Sequence, residues 1–307
     1  MVGAPGFEIS RFVAGAMDEH RAVVALESAF LTHGLPFPDG LETMLAMREV
    51  VSSEGAVPAA IGVIDGVPRI GLKPAQIERL AAAGDEATKI GLRELGLTVP
   101  KSGDGGATVS ATVYLASRTG IPVVCTGGIG GVHRGYSWDV SADLLALARF
   151  PALVVCSGVK SILDVGATLE MLETLSVPVI GYMTRQIPGF LVRDSGFEAS
   201  TVVDGAEAAG STWQAREALE LYGGALICVP VPSEDAVPVE ILEAAVEDAL
   251  SEAKGAGIKG QRLTPFLLER LDELTDGATR RANVALLKNN ARVAAQIAVA
   301  LVARQGQ

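Results

Sequence analysis

Short apolar runs that alternate with amphipathic helical patterns constrain the fold of this chain more than any other feature. The runs are rich in valine, isoleucine, leucine and alanine and lie at residues 23–26, 57–63, 123–126, 153–156, 177–182 and 225–231. Between them, apolar residues recur at intervals of three and four positions, as on one face of a helix. This alternation is typical of an α/β protein with a central sheet.

Helical patterns account for much of the rest of the chain. They lie at residues 41–53, 73–83, 107–117, 142–150, 168–174, 204–222, 239–256, 265–274 and 281–303. Residues 62–72 place Asp65-Gly66 between two apolar arms, which predicts a β-hairpin and therefore a mixed sheet rather than a purely parallel one. Because the sequence contains no repeat and no Pro/Ser-rich linker, we expect a single domain over residues 1–307.

Composition excludes several classes of protein. With 307 residues, 49% of them hydrophobic and 20% charged, the chain has the composition of a globular enzyme. A net charge of -11 argues against a nucleic-acid partner. No apolar run reaches the roughly 18 residues that a membrane span needs, and the N-terminus lacks a secretory signal pattern, so a cytoplasmic location is expected. Its cysteines, Cys125, Cys156 and Cys228, lie in strand-like runs and are expected to be reduced core residues.

Lys160 is the most informative single residue. It lies just beyond the apolar run 152–156 and the turn residues Ser157 and Gly158. In open α/β sheets, ligands bind beyond the carboxyl ends of the strands. A buried lysine that loses its proton can attack a carbonyl carbon. The alternative is a lysine that ends a strand and lays its stem on apolar surface.

A glycine-rich segment, residues 126–135, follows the strand-like run that contains Cys125. It does not open directly into a helical pattern, which disfavours a dinucleotide-binding turn. His133 and Arg134 at its end favour a site for an anion or a polar substrate over a purely structural turn.

Further oxygen-bearing side chains precede helical patterns. Asp139, Ser141 and Asp143 suit either a divalent cation or the start of a helix, and their spacing does not choose between these roles. The segment 101–112 is a glycine-rich loop that leads into a helical pattern carrying Thr108, which suits a phosphate. Glu27 follows the first long strand-like run, where an isolated acid is more often solvated than catalytic.

Taken together, these motifs resemble the pseudouridine-5'-phosphate glycosidase family, related to the indigoidine-cluster A proteins. The matching segments are Ala25-Leu-Glu-Ser28, His33-Gly34, residues 126–135, residues 139–143, Lys160-Ser-Ile-Leu-Asp164, Thr264-Pro-Phe-Leu-Leu268 and Asn289-Asn-Ala291. The resemblance implies a three-layer α/β/α fold and a homotrimer. It also implies a manganese ion (or another divalent cation) and reversible cleavage of the C–C bond between ribose 5-phosphate and uracil.

The resemblance also implies roles for individual residues. Lys160 matches the lysine that bonds covalently to the sugar, Glu27 the general acid and Asp139 the metal ligand. Lys89, if close, would help to keep Lys160 neutral by charge repulsion. The expected substrate-binding residues are Lys89, Thr108, Val109, Thr126, His133, Ser141, Ala142, Asp143 and Asn283.

The chain departs from the family pattern around this set of residues. Residues 29–31 are Ala-Phe-Leu where Thr-Ile-Ile is usual, Thr279-Arg280 replaces Ser-Leu, and a shortened stretch carries Tyr136 and Trp138. These changes leave alternatives open for the acceptor. A C-glycosynthase would attach ribose 5-phosphate to an aromatic polyketide carbon, as in alnumycin-type C-ribosylation. A Schiff-base aldolase and a non-catalytic sugar-phosphate-binding protein are more distant alternatives.

Overall fold

Parallel strands form the centre of the molecule. The computed structural model describes residues 2–4, 6–98, 103–135, 138–258, 260 and 263–305. Its strands are β1 (Val2–Ala4), β2 (Phe7–Ile9), β3 (Val23–Leu26), β4 (Val57–Ile64), β5 (Val67–Ile70), β6 (Thr88–Ile90), β7 (Gly105–Ala107), β8 (Val123–Cys125), β9 (Val132–His133), β10 (Leu153–Cys156), β11 (Leu163–Asp164), β12 (Val179–Tyr182), β13 (Thr201–Val203) and β14 (Ala225–Cys228). Along β4-β3-β8-β10-β14-β12-β13, every neighbouring pair is parallel.

Helices cover both faces of this sheet. They are α1 (Arg11–Asp18), α2 (Ala29–His33), α3 (Asp39–Ser53), α4 (Pro74–Ala83), α5 (Leu92–Thr98), α6 (Val109–Thr119), α7 (Ala142–Arg149), α8 (Val165–Thr174), α9 (Ala206–Ala218), α10 (Val239–Gly255), α11 (Leu263–Leu274) and α12 (Ala278–Gln305). Helix α12 packs on β3, β8 and β10 beside α3 and α9, whereas α6 packs on β3, β4 and β8 beside α7. Every residue of β3, β8, β10 and β14 is buried between these layers. The predicted three-layer α/β/α fold is confirmed.

The predicted hairpin makes the sheet mixed. Strand β4 pairs in parallel with β3 through its first half and antiparallel with β5 through its second half. The turn consists of Asp65 and Gly66, with φ values of 53° and 75°. Both values are left-handed, as a two-residue turn between twisted strands requires. Strand β7 also pairs antiparallel with β4, so the prediction of a mixed sheet is confirmed.

Several predicted bounds are wrong for local reasons. The helix expected at 107–117 begins at Val109, because residues 105–107 form β7. The helix expected at 168–174 begins at Val165, because Asp164 caps it by accepting a hydrogen bond from the amide of Ala167. Elements such as β6, β9 and β11 escaped the sequence pattern because two or three residues are too few to show the apolar alternation of a strand.

The cysteines lie in the core, as the sequence predicted. Cys125, Cys156 and Cys228 are buried and free of disulfides. Within the described ranges, no helix combines the length and apolar character that crossing a membrane requires.

Candidate active site

Three neighbouring strands bring their carboxyl ends to one cavity. Glu27 follows β3, Thr126 follows β8, and Lys160 lies four residues beyond the last residue of β10. Because β3, β8 and β10 are adjacent and parallel, these side chains meet at the same edge of the sheet. They line a cavity of about 40 Å³ together with Lys89 and Asn283. Its other lining residues are Ala29, Phe30, His33, Gly34, Gly127, Gly128, Phe190, Thr264, Leu268 and Leu287.

Glu27 is almost fully buried, with 5% of its surface exposed. Its backbone amide donates to the carbonyl of Cys125, and its Oε1 accepts a hydrogen bond of 3.0 Å from the amide of Ala29. Burial raises the pKa of Glu27 to about 7, although the positive charge of Lys160 opposes the shift. A carboxyl group with such a pKa can both donate and accept a proton near neutral pH.

Lys160 is half-buried and is held by its backbone. Its amide donates to the carbonyl of Ile129, which ties the segment after β10 to the glycine-rich segment after β8. Gly158, two residues earlier, has a φ of 84°, and a Cβ atom there would lie 2.1 Å from the carbonyl oxygen of Pro188. Only glycine fits this turn, so the backbone fixes the point from which the Lys160 side chain enters the cavity.

Lys89 enters the cavity from β6. Burial and the nearby charge of Lys160 lower the pKa of Lys89 to about 8. The charges of Asp143 and Glu27 oppose this shift, so the ionisable groups of the site influence one another. Lys89 and Lys160 therefore lie close together, as expected.

Asp143 connects the helices that border the cavity. Its Oδ1 accepts a hydrogen bond of 2.9 Å from the amide of Ser110, and its Oδ2 accepts one of 2.8 Å from the amide of Gly130. A Cβ atom on Gly130 would lie 2.3 Å from Oγ of Ser141. The glycine-rich segment, the start of α6 and the start of α7 are thus joined through one carboxylate.

Two helix starts converge at this point. Thr108 precedes α6, and Ser141 caps α7 by accepting a hydrogen bond of 3.2 Å from the amide of Asp143. The first amides of a helix have no intrahelical acceptor and attract anions. Val109 and Ala142 are the first residues of the two helices. Thr108, Val109, Ser141 and Ala142, all expected to bind substrate, therefore lie at the helix starts and do not line the small cavity. Residues 101 and 102 of the loop before α6 lie outside the described residues.

His133 and Asp139 lie together beside β9. The amide of His133 donates to the backbone carbonyl of Asp139 at 3.0 Å. Burial lowers the pKa of His133, while the charge of Asp139 opposes that shift. In the parts of the chain that the structure describes, no group of three histidine, cysteine or acidic side chains is arranged to hold a metal ion. Trp138 is 96% exposed and does not line the cavity, and Tyr136 lies outside the described residues.

Sequence reasoning missed several residues of the site. Phe190 has a φ of 68°, which is rare for a side chain of its size, and its ring lies against Gly127 and Gly128. Asn290 is fully buried and its Nδ2 donates to the carbonyl of Thr126 at 2.9 Å, while its Oδ1 accepts from the hydroxyl of Ser157. The paired asparagines of the matching segment 289–291 were the available signal for Asn290, whereas no local pattern indicated Phe190.

A larger cavity adjoins the small one. It has a volume of about 460 Å³ and shares His33, Gly34, Phe190, Leu268 and Asn283 with its neighbour. His33 stands between them, with Nδ1 2.7 Å from the hydroxyl of Thr32. Burial lowers the pKa of His33, and the charge of Lys89 adds to the shift. The larger cavity therefore offers an approach to Glu27 and Lys160.

Residues 12–300 match the family described as indigoidine synthase A like protein. The chain belongs to this family. Among its relatives, the pseudouridine-5'-phosphate glycosidase of Chloroflexus aurantiacus is 48% identical over 296 residues, which cover 95% of this chain and 97% of the relative. The similarity to other members of the indigoidine synthase A-like family extends to their solved structures.

Two of these structures cover nearly the whole chain. An indigoidine synthase A-like protein from Thermotoga maritima has a TM-score of 0.89 at 36% identity, covering 98% of this chain and 99% of its own. The prealnumycin C-glycosynthase AlnA, solved in complex with ribulose 5-phosphate, has a TM-score of 0.90 at 37% identity, with 99% of both chains covered. The relatives of this indigoidine synthase A-like chain identify it as an enzyme.

Proposed function

We propose that this enzyme reversibly cleaves the C–C bond between C1 of ribose 5-phosphate and a ring carbon of uracil, with pseudouridine 5'-phosphate as substrate. The observation that carries the proposal is the presence of a buried carboxyl group and a lysine, Glu27 and Lys160, in one cavity at the edge of the sheet. The pseudouridine-5'-phosphate glycosidases among the relatives support this choice of substrate.

Lys160 acts as the nucleophile. A C-glycoside has no oxygen leaving group on the base, so protonation of the base alone does not release it. Ring opening frees C1 of the sugar for attack by the neutral amine of Lys160. The C–C bond then breaks, the ring carbon of uracil takes up a proton, and the remaining imine is hydrolysed by water to ribose 5-phosphate and the free lysine.

Glu27 moves the protons. It donates one to the ring oxygen of ribose as the C1–O bond opens, and it mediates protonation of the departing carbon. Its pKa of about 7 suits both directions of transfer near neutral pH. Asn283, which lines both cavities, presents an amide to the base, because a uracil ring offers paired donors and acceptors.

The phosphate of the substrate binds where α6 and α7 begin. The first amides of these helices and the ammonium of Lys89 supply positive charge there. Asp143 holds the two helix starts together through its bonds to Ser110 and Gly130. In this arrangement, Asp143 acts through the backbone rather than by direct contact with the phosphate.

A manganese ion or another divalent cation binds at Asp139. Such cations prefer oxygen ligands and often retain several waters beside one or two carboxylates. Asp139 would supply one such carboxylate, and the ion would neutralise phosphate charge. The functional assembly in this proposal is a homotrimer.

A second candidate acceptor is an aromatic ring larger than uracil. The cavity of about 460 Å³ next to Phe190 and Asn283 favours it, because it leaves room beyond the reaction cavity. The similarity to the C-glycosynthase AlnA supports the same alternative. A binding protein or an aldolase would not need the buried acid Glu27.

Borohydride trapping tests the proposed nucleophile. Reduction in the presence of ribose 5-phosphate should attach the sugar phosphate to Lys160, as located by peptide mass spectrometry. Lys160→Ala should abolish the adduct, whereas Lys254→Ala, a change to an exposed lysine on α10, should retain it. Equal labelling of the Lys160→Ala variant would show that another group reacts.

Mass analysis of products tests the acceptor. The enzyme is incubated with ribose 5-phosphate and uracil, and separately with larger aromatic acceptors. A product with the mass of pseudouridine 5'-phosphate supports the main proposal. A trapped sugar without any uracil-dependent product would instead favour the aromatic acceptor.

A further inference from the structure

A basic cavity lies away from the active site. It has a volume of about 510 Å³ and is formed by α1, β5, the start of α4 and Pro58 of β4. Pro58 pairs with Val24 near the amino end of β3, whereas Glu27 lies beyond the carboxyl end of that strand. This basic cavity shares no lining residue with the cavity that contains Lys160. The two cavities are therefore separate sites.

Four cationic side chains contribute to the lining of the basic cavity. Arg11, Arg48, Arg69 and Lys73 line it, and Glu8 is the acidic residue among them. Glu8 is already paired, because its Oε2 lies 2.9 Å from Nη1 of Arg69. The whole chain has a net charge of -11, so this concentration of positive charge opposes the overall balance. The basic cavity is thus a local region of positive charge that favours anions on a chain whose net charge is negative.

Arg48 is the arginine of the basic cavity whose surroundings best suit a bound anion. It extends from α3, is half-buried, and donates from Nη1 to the backbone carbonyl of Leu72 at 3.0 Å. Burial lowers its pKa, and no carboxylate contributes an opposing shift. Within the described ranges, Arg48 forms no ion pair. A guanidinium that loses water without gaining a carboxylate is suited to bind an anion from solution.

The backbone around the basic cavity also contributes positive charge, because two helices begin there. Helix α1 begins at Arg11 and helix α4 at Pro74, and Gly71 lies between these starts. Gly71 has a φ of 85°, and a Cβ atom there would lie 2.4 Å from Oγ of Ser10. This close approach brings two positive helix ends to the same cavity as the arginines.

We propose that the basic cavity binds a phosphate monoester or a similarly charged oxyanion, with Arg48 as its main ligand and Arg11 and Lys73 as further contacts. The apolar side chains of Phe12 and Val13 also line the cavity and leave space for the body that carries the anion. The site takes no part in the reaction at Lys160. It is independent of the proposed function.

Calorimetric titration with inorganic phosphate, ribose 5-phosphate and uridine 5'-monophosphate tests this site. The wild type should bind anions at two sites per chain. Arg48→Met should bind them at the active site alone, and Lys89→Met should bind them at the basic cavity alone. Affinity at the basic cavity should fall on the order of 10-fold or more in Arg48→Met, because a charge-assisted bond is lost. Arg118→Met, which removes an exposed charge outside the cavities, should retain both sites.

Comparison of the three ligands shows whether the basic cavity recognises a phosphate monoester or free phosphate. Tighter binding of the two phosphate monoesters than of inorganic phosphate at the Arg48-dependent site indicates a ligand with a body. Equal affinities indicate that the phosphate group alone is recognised.

The titrations also separate the failure of this proposal from that of the proposed function. A wild type with a single binding event that disappears in Lys89→Met would overturn the second site. A change of oligomeric state in Arg48→Met, seen by light scattering, would show that Arg48 belongs to a subunit interface instead. Borohydride trapping at Lys160 should be unchanged in Arg48→Met, whichever result is obtained.

Discussion

At the scale of single residues, burial shifts the pKa values of Glu27 and Lys89 in opposite directions. It raises the pKa of Glu27 to about 7 and lowers that of Lys89 to about 8. Both shifts favour the neutral form, as expected when charged groups leave water. Neighbouring opposite charges limit the shifts, so Glu27 can exchange a proton near neutral pH while Lys89 keeps most of its positive charge.

The pKa of Glu27 predicts the pH dependence of turnover. Ring opening needs the protonated carboxyl, so turnover should fall as the pH rises through about 7. Glu27→Gln should lower turnover on the order of 10²–10⁴-fold and remove this alkaline decline. Steady-state kinetics across the neutral range measures both effects. Glu86→Gln, a change to an exposed acid, is the matched control, and an unchanged decline in Glu27→Gln would exclude Glu27 as its cause.

At the scale of elements, one carboxylate sets the positions of two helix starts. Asp143 bonds to the amides of Ser110 in α6 and Gly130 in the glycine-rich segment. Asp143 is buried at the first turn of α7, so its bonds to these amides are shielded from water. Its negative charge also raises the pKa of Glu27. The same residue therefore links the phosphate end of the site with the acid end.

Asp143→Asn tests this link. An amide has only one acceptor oxygen, so the amide of Ser110 or of Gly130 would face a donor. The KM for ribose 5-phosphate should rise about 10-fold, because a buried amide loses its partner. The alkaline decline in turnover should also move to lower pH, because Asp143 no longer raises the pKa of Glu27. A merely structural role would change stability without moving the pH profile.

Gly130→Ala tests the close approach of the glycine-rich segment to α7. The new Cβ would lie 2.3 Å from Oγ of Ser141 and 2.9 Å from Oδ2 of Asp143, so one element must shift. We expect a loss of about 1–3 kcal/mol in the free energy of unfolding, measured with urea. Gly96→Ala, in α5 with no atom close to the added Cβ, should be neutral or slightly stabilising. Equal effects of the two changes would contradict the packing argument.

At the scale of the whole molecule, the two proposed sites are built from different strands and helices of the same fold. The catalytic residues follow the carboxyl ends of β3, β8 and β10, whereas Arg48 lies in α3 and Arg69 lies in β5, where it pairs with Gly62 of β4. Ligands in open α/β sheets gather at the carboxyl ends, as the reaction cavity does. A single domain over residues 1–307, a bound manganese ion and a homotrimer stay predictions.

Metal removal tests the cation. Treatment with a chelator should abolish turnover and manganese should restore it, because a site with a single carboxylate releases its ion readily. Asp139→Asn should need a higher manganese concentration for restoration, whereas Asp204→Asn, at an exposed acid before α9, should behave as the wild type. Metal content measured beside activity completes the test. Full turnover of a verified metal-free enzyme would leave Asp139 without a ligand role.

The sequence by itself determined the central strands and the residues near their carboxyl ends that form the site. Runs of valine, leucine and alanine identify β3, β8 and β10 because a strand buried on both faces needs apolar side chains at every position. Glu27 and Lys160 follow these runs, so their place beyond the strand ends was predictable, whereas Thr126 was predicted as the last residue of its run and lies just after β8. The Asp65-Gly66 hairpin was equally local, because a two-residue turn depends on its own φ values.

Only the tertiary structure decided which strand ends lie next to one another and which residues surround them. The order β3-β8-β10 arises from contacts between residues distant in sequence, which no local pattern encodes. The same holds for the bonds of Asp143 to Ser110, of Asn290 to Thr126 and of Arg48 to Leu72. The pKa values of Glu27 and Lys89 depend on burial and on charges from other elements. Sequence patterns report a residue's own segment, whereas burial and charge arise from what the fold packs against it.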